Sequence, residues 1–311
     1  MSILYKAKVV LYSSLILFCL FYAGYNPLAA PLIANQYTLS KIPAIVFKPH
    51  ALPKQIPDTL APSVSASSYL IMDADSFTPL RAFNEKVPLY PASIVKLATA
   101  LVAFRNYTLT QPLLVKTAIS EEVTMGLVPG EKITVLNLLY GTLVNSSNDA
   151  AYTLAENYIG GVSNFVKSMN NLSYRLNMKD TRFVDPIGFD DPRQQTTAYD
   201  LSILAKEFIQ FPLLLDITST KSITVSDVTF KYFHYLLNGN QLVGVIPHIG
   251  GLKTGTTDLA GENLISYYLY NGHPIIIVVL NSEDRFADTK TLISYINATF
   301  SYQNIDSVSA N

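Results

Sequence analysis

Strand-type sequence lies towards both ends of this chain, with helix-type sequence between. Ser68–Asp73 (SYLIMD) is a short β-prone run, and Pro79–Phe83 reads as its hairpin partner after a turn at Asp75-Ser76. Towards the other end, Leu252–Thr254, 261–270 and Pro274–Leu280 read as strands, and 285–300 as a closing helix. Between them, Ser93–Phe104 carries apolar residues at 94, 95, 97, 98, 101 and 102, a helical spacing. Further helices are expected at 134–144, 149–158, 163–176 and 198–210. Thr196-Thr197 supplies N-cap chemistry for the last of these, with Asp200 in its first turn. Such an order is met by one sheet built from both chain ends with a helical subdomain inserted, an α/β architecture. No internal repeat or low-complexity tract competes with it.

The N-terminal region reads differently. Lys6 and Lys8 precede an apolar run from Val9 to Tyr25, and no further charge occurs until Lys41. Seventeen residues is near the short limit for a spanning helix and long for a cleaved signal. Pro31 directly after Leu28-Ala29-Ala30 makes that a poor cleavage site, and bulky Phe18 argues against a lipidated Cys19. Residues 1–25 are therefore expected to be an uncleaved membrane anchor. The flanking lysines keep the N-terminus cytoplasmic and place the rest outside the cell membrane, or secreted if the segment is cut. Seven of the seventeen prolines fall in residues 26–66, expected to be an extended stalk. A folded domain is expected over 67–302, with a short tail at 303–311.

Composition removes several classes of function. Cys19 is the single cysteine, so the expected domain has no disulfide, thiolate metal site or cysteine nucleophile. A formal net charge of −1 gives nucleic-acid binding no electrostatic support. The four histidines (50, 234, 248, 273) form no metal-ligand cluster, and no cofactor is expected.

Three short motifs can carry chemistry. Ser93-Ile94-Val95-Lys96 places a hydroxyl and an amine three apart on one helical face, at a helix start that favours developing negative charge. A serine needs an adjacent base, and a lysine serves only when burial or a second cation lowers its pKa. Ser146-Ser147-Asn148 offers a second hydroxyl and an amide at the junction of two helices. Lys253-Thr254-Gly255-Thr256 lies on a strand, where the glycine permits close approach of a substrate backbone. Taken singly, the first two are equally readable as helix caps and the third as an edge strand with a solvated lysine.

Together, the order of the motifs and their separations of 53 and 107 residues resemble the penicillin-interacting serine enzymes. Tyr90–Lys96, Pro129–Val135, Ser146–Ala151, Asp185–Asp191, Thr197–Leu201 and Gly251–Gly255 are similar to the low-molecular-mass D-alanyl-D-alanine carboxypeptidases, over about residues 68–302. The resemblance implies a β-lactamase/transpeptidase-like fold with an antiparallel sheet. It implies Ser93 as nucleophile, Lys96 as base and Ser146 as proton relay. Asn148 would position the peptide, Lys253 and Thr254 would bind the terminal carboxylate, and the N–H groups of Ser93 and Thr256 would form the oxyanion hole beside Gly255. Lys253 would also lower the pKa of Lys96 by charge repulsion. The implied partners are a peptidoglycan stem peptide, and β-lactams as covalent inhibitors. D,D-endopeptidase action, a class A β-lactamase and a peptidoglycan-binding protein are the alternatives. The Glu-x-x-Leu-Asn string of that β-lactamase class does not occur between Ser146 and Lys253, so slow deacylation of penicillin is expected. Thr256 and Ile187 depart from the residues common in the family. The family's C-terminal β-domain and membrane helix are not expected in the nine residues after Tyr302, which leaves anchoring to the N-terminal segment.

Overall fold

An unbroken apolar run at Ile275–Leu280 sets the centre of the fold, because a strand with one wet face would alternate instead. The computed structural model describes residues 8, 10–14, 51–57 and 60–302. The chain divides into two units, Met1–Pro49 and His50–Asn311. In the first, residues 8 and 10–14 are helical. Most of the expected anchor, most of the stalk and the tail at 303–311 lie outside the described residues. Among the described residues no helix is long and apolar enough to cross a membrane.

The second unit begins with β1 (Pro53–Gln55), β2 (Ser68–Asp73) and β3 (Thr78–Phe83), followed by a 3₁₀ turn at Ala92–Val95. Next come α1 (Lys96–Asn106), β4 (Pro112–Leu114), β5 (Lys132–Thr134), α2 (Val135–Leu143), α3 (Asn148–Glu156) and α4 (Gly161–Arg175). Then follow α5 (Ala198–Phe208), α6 (Pro212–Ser219), β6 (Ser222–Ser226) and β7 (Phe233–Leu237). The chain closes with β8 (Ile249–Thr257), β9 (Gly261–Tyr270), β10 (His273–Ser282), α7 (Arg285–Thr299) and β11 (Phe300–Tyr302).

The main sheet has the order β3-β2-β10-β9-β8 and is antiparallel throughout. Strands from both chain ends meet at its centre, where Leu70 lies opposite Val278. Its two faces are both dry. Leu70, Met72, Ile265, Ile276 and Val278 join Leu97, Leu101, Leu138 and Leu154 of the inserted helices in one core. Tyr69, Ile71, Leu264, Ile275, Ile277 and Val279 meet Leu292, Ile293 and Ile296 of α7 on the other. Strand alternation thus feeds two cores from one sheet. β8 is an edge strand, which leaves one side of Lys253–Thr256 unpaired within the main sheet.

The expected stalk overreached. Pro53–Gln55 pairs with Phe300–Tyr302, Ile56 N donates to Thr299 O, and Ser65 N and Ala66 N donate to the Asp288 carboxylate. Proline removes only its own donor, so it is accommodated at the first residue of a short strand. Folded structure therefore precedes Ser67. The helix expected from Ser93 instead starts at Lys96. Its N-terminal extension is the 3₁₀ turn, entered through Ala92 at φ +49°. The two-stranded pairs β4–β5 and β6–β7, and helix α6, were not anticipated.

Candidate active site

Each motif is carried to one cleft by a different element. Ser93 sits in the 3₁₀ turn, whose approach is fixed by Asn263 Nδ2 donating to Tyr90 O (2.9 Å) and Pro91 O (3.2 Å). One helical step on, Lys96 opens α1 and is wholly buried. Its Nζ lies 2.7 Å from Ser93 Oγ, 2.8 Å from Asn148 Oδ1 and 2.8 Å from Ile187 O. Burial lowers its pKa from 10.5 to about 7, against the opposing pull of Asp185, Glu122 and Asp149. The amine is therefore substantially neutral near pH 7, and a lone pair can face Ser93 Oγ.

Ser146 occupies the bend between α2 and α3 with φ +62°. Its Oγ accepts from Lys253 Nζ at 2.8 Å, and that amine also donates to Thr254 O. Lys253 is held well below its ordinary pKa by burial first, then by Lys96 and Arg285. The expected repulsion between the lysines thus acts on Lys253, whereas burial is what lowers Lys96. Both amines are packed beneath a cavity of about 290 Å³ lined by Ser93, Ser146, Asn148, Thr254, Gly255 and Thr256. All eight sequence-derived site residues therefore converge.

Their contacts refine the expected roles. Asn148 is buried, its Oδ1 taken by Lys96 and its Nδ2 donating to Glu121 O, so it orients the amine. Gly255 stands where a Cβ would lie 3.0 Å from Ser93 N and 3.1 Å from Pro91 O, so any side chain there would press on the turn. Arg285 was missed. Its Nη1 donates to Gly255 O at 2.9 Å and to Thr256 Oγ1, and the residue lines the cavity. A signal existed: an arginine in the first turn of α7 opposes the helix dipole, and in the fold its Nε is met by Glu262 Oε2 at 3.9 Å. Glu122, at φ +55°, and Leu237 also line the cavity and carried no motif. A larger cavity of about 760 Å³, bounded by α4 and Arg175, Lys179 and Arg182, contains none of this chemistry.

Residues 56–284 match the family described as D-alanyl-D-alanine carboxypeptidase. The chain belongs to that family. It is 33% identical over 236 residues to the D-alanyl-D-alanine carboxypeptidase DacD of Escherichia coli, covering 71% of this chain and 60% of that protein. It is 34% identical to a D-alanyl-D-alanine endopeptidase of Pseudomonas aeruginosa, covering 75% of this chain and 77% of that one. Among solved structures, penicillin binding protein 6B from Escherichia coli matches with a TM-score of 0.74 at 29% identity, over 84% of this chain and 86% of that one. The Streptomyces K15 DD-transpeptidase matches with a TM-score of 0.73 at 25% identity, over 77% of this chain and 100% of its own. The chain thus spans about 60% of the length of the DacD carboxypeptidase, and its family fold is the β-lactamase/transpeptidase-like one expected.

Proposed function

We propose that the protein is a serine D-Ala-D-Ala carboxypeptidase that removes the terminal D-alanine of peptidoglycan stem peptides through an acyl-enzyme. The observation that carries this reading is Lys96, a buried amine of pKa about 7 lying 2.7 Å from Ser93 Oγ. Neutral Lys96 takes the Ser93 proton as Oγ attacks the carbonyl between the two D-alanines. Negative charge develops on the carbonyl oxygen, to which the N–H groups of Ser93 and Thr256 donate. As the C–N bond breaks, the leaving amine is protonated through the Ser146 hydroxyl, itself re-protonated by Lys253. Water then attacks the ester, its proton passing back through Ser146 to Lys253, and the Lys96 ammonium returns its proton to Ser93 Oγ as the ester C–O bond breaks. Thr254, Thr256 and the Arg285 guanidinium receive the substrate's carboxylate, since the Lys253 amine is turned towards Ser146.

Endopeptidase action on cross-links is the same chemistry with a larger leaving group, and the relatives' names include it. The lysine-flanked apolar run at the N-terminus supports anchoring at the cell membrane with the catalytic unit outside. The test is intact mass of the full chain in detergent with benzylpenicillin. A persistent one-to-one adduct, absent from Ser93→Ala of unchanged circular dichroism, is expected. Penicillin consumed without a lasting adduct would make the protein a β-lactamase, and equal labelling of the variant would displace Ser93 as nucleophile.

A further inference from the structure

The β6–β7 hairpin carries large apolar side chains on its outward face as well as its inward one. Its inner face carries Val225, His234 and Leu236, all buried, and is fastened by ionic and polar contacts. His234 Nε2 lies 2.8 Å from Glu131 Oε1 and its Nδ1 2.8 Å from Met125 O. Asn137 Nδ2 donates to Ser226 O, and Asn238 Nδ2 donates to Thr218 O and Thr220 O. With that face fixed, strand alternation turns Phe233, Tyr235 and Leu237 outward, at 64%, 67% and 54% exposure. An outward face of a two-stranded hairpin is ordinarily polar, and a contiguous apolar strip there marks a binding surface.

Two features say what the strip binds. It is continuous with the catalytic cleft, because Leu237 lines the same cavity as Ser93 and Ser146. It is also flanked by a parallel row of hydroxyls: Ser226 lies opposite Phe233, Thr224 opposite Tyr235 and Ser222 opposite Leu237. A ring face beside a hydroxyl, repeated along a strand, suits a pyranose, which offers C–H groups on its face and hydroxyls at its edge. A surface selected for lipid would gain nothing from a hydroxyl beside each ring.

We propose that the outer face of β6–β7 is a saccharide subsite, which holds the sugar portion of the same peptidoglycan substrate while its stem peptide enters the cleft. The proposal rests on the carboxypeptidase reading and deepens it. Phe233 and Tyr235 lie on the surface outside the catalytic cavity, so their replacement leaves the reacting groups in place.

The experiment compares full-length protein in detergent with the double variant Phe233→Ser, Tyr235→Ser and with Thr224→Ala. One substrate is a stem pentapeptide ending in D-Ala-D-Ala; the other is the same peptide borne on its disaccharide. The wild type is expected to favour the sugar-bearing substrate in kcat/KM. The double variant is expected to lose roughly tenfold of that preference while free-peptide hydrolysis and penicillin acylation stay unchanged. Thr224→Ala should lose a smaller part. A wild-type preference of one, or a preference intact in the double variant, overturns the proposal. If neither peptide is hydrolysed, the carboxypeptidase reading fails by itself. Binding of peptide-free glycan chains to Ser93→Ala, with and without the double change, then decides the subsite. Reduced flotation with anionic lipid vesicles alongside an unchanged sugar preference would assign the strip to membrane contact and overturn it too.

Discussion

Replacing Lys96 by Met should change how the stability of the fold depends on pH. Lys96 titrates near 7 in the folded state and at its ordinary 10.5 in an unfolded chain. Between those values the unfolded state binds more protons than the native state, so stability rises with pH. Each unit of pH contributes about 1.4 kcal/mol once the native group has lost its proton. From pH 7, where the amine is half titrated, to pH 9, the contribution is about 2 kcal/mol. Methionine fills the channel without a titrating group, though it leaves Asn148 Oδ1 and Ile187 O without their donor, a pH-independent loss of about 1–3 kcal/mol each. Urea unfolding of wild type and Lys96→Met at pH 7, 8 and 9 follows this group together with its charge coupling to Lys253, because every other titrating group is common to both proteins. The stability of the wild type relative to the variant should climb by about 2 kcal/mol across that range. The same ionisation makes the rate of penicillin acylation by wild type rise through pH about 7 and then level. Parallel stability curves would mean that the amine keeps its proton to pH 9, and Lys96 could not then be the resting base.

Three further perturbations probe other parts of the structure. Gly255→Ala sets a methyl 3.0 Å from Ser93 N and 3.1 Å from Ala92 Cβ, so acylation should fall by one to two orders of magnitude with little change in melting temperature. Stopped-flow penicillin binding measures it, and an unchanged rate would show that the turn can yield. Arg285→Ala should raise KM for peptides bearing a free terminal carboxylate by roughly tenfold or more, and should affect peptides amidated at that carboxylate far less. Glu131→Gln tests the buried ion pair. Burial opposes charge on His234, but the bonds to Glu131 and Met125 outweigh it and raise its pKa above 6.5. The pair's contribution is therefore full below pH 6.5 and lost as pH rises through the folded value. The difference in urea midpoint between wild type and variant should shrink over that rise, and a constant difference would remove the pair from the titration.

The sheet and its helical insertion were legible because their signals are local. Ile275–Leu280 and Ser68–Asp73 are short β-prone runs that read as strands by themselves, and Thr197 caps α5 through a bond from Asp200 N as its position suggested. The site was legible because three motifs, each ambiguous alone, keep an order and separations that resemble those of a known family. What escaped was set by distant partners. Pro53–Gln55 looks like stalk until Phe300–Tyr302 is placed beside it. β7 reads as neither amphipathic strand nor helix, since its outward residues are as apolar as its inward ones. Arg285 reaches the site from the far end of the chain through Gly255 O, a contact no sequence spacing encodes. The source of the Lys96 pKa shift was similarly non-local, for it follows from enclosure, while the repulsion between the lysines falls on Lys253.

The family-like segments are longer than the catalytic residues within them, and the structure supplies a reason. The site gathers several unfavourable features in a small volume. Two lysines are buried, and Ala92, Glu122 and Ser146 all adopt left-handed backbone without being glycine. Such backbone costs of order 1–3 kcal/mol per residue and persists only where neighbours over-determine it. Those neighbours are the remaining residues of the segments. Asp149 accepts from Met125 N, Gly126 N and Leu127 N, holding the loop that carries Glu121 and Glu122 against Asn148. Asp185 accepts from Ile187 N and Gly188 N at 2.6 Å, which aims Ile187 O at Lys96 Nζ. Gly188, at φ +102°, presses on the Ala92 carbonyl so closely that any side chain would collide with it. The carboxylates of Asp149 and Asp185 also raise the Lys96 pKa, opposing the burial that makes the amine a base. The same two groups therefore set both the geometry of the base and the limit to how far its proton affinity can fall.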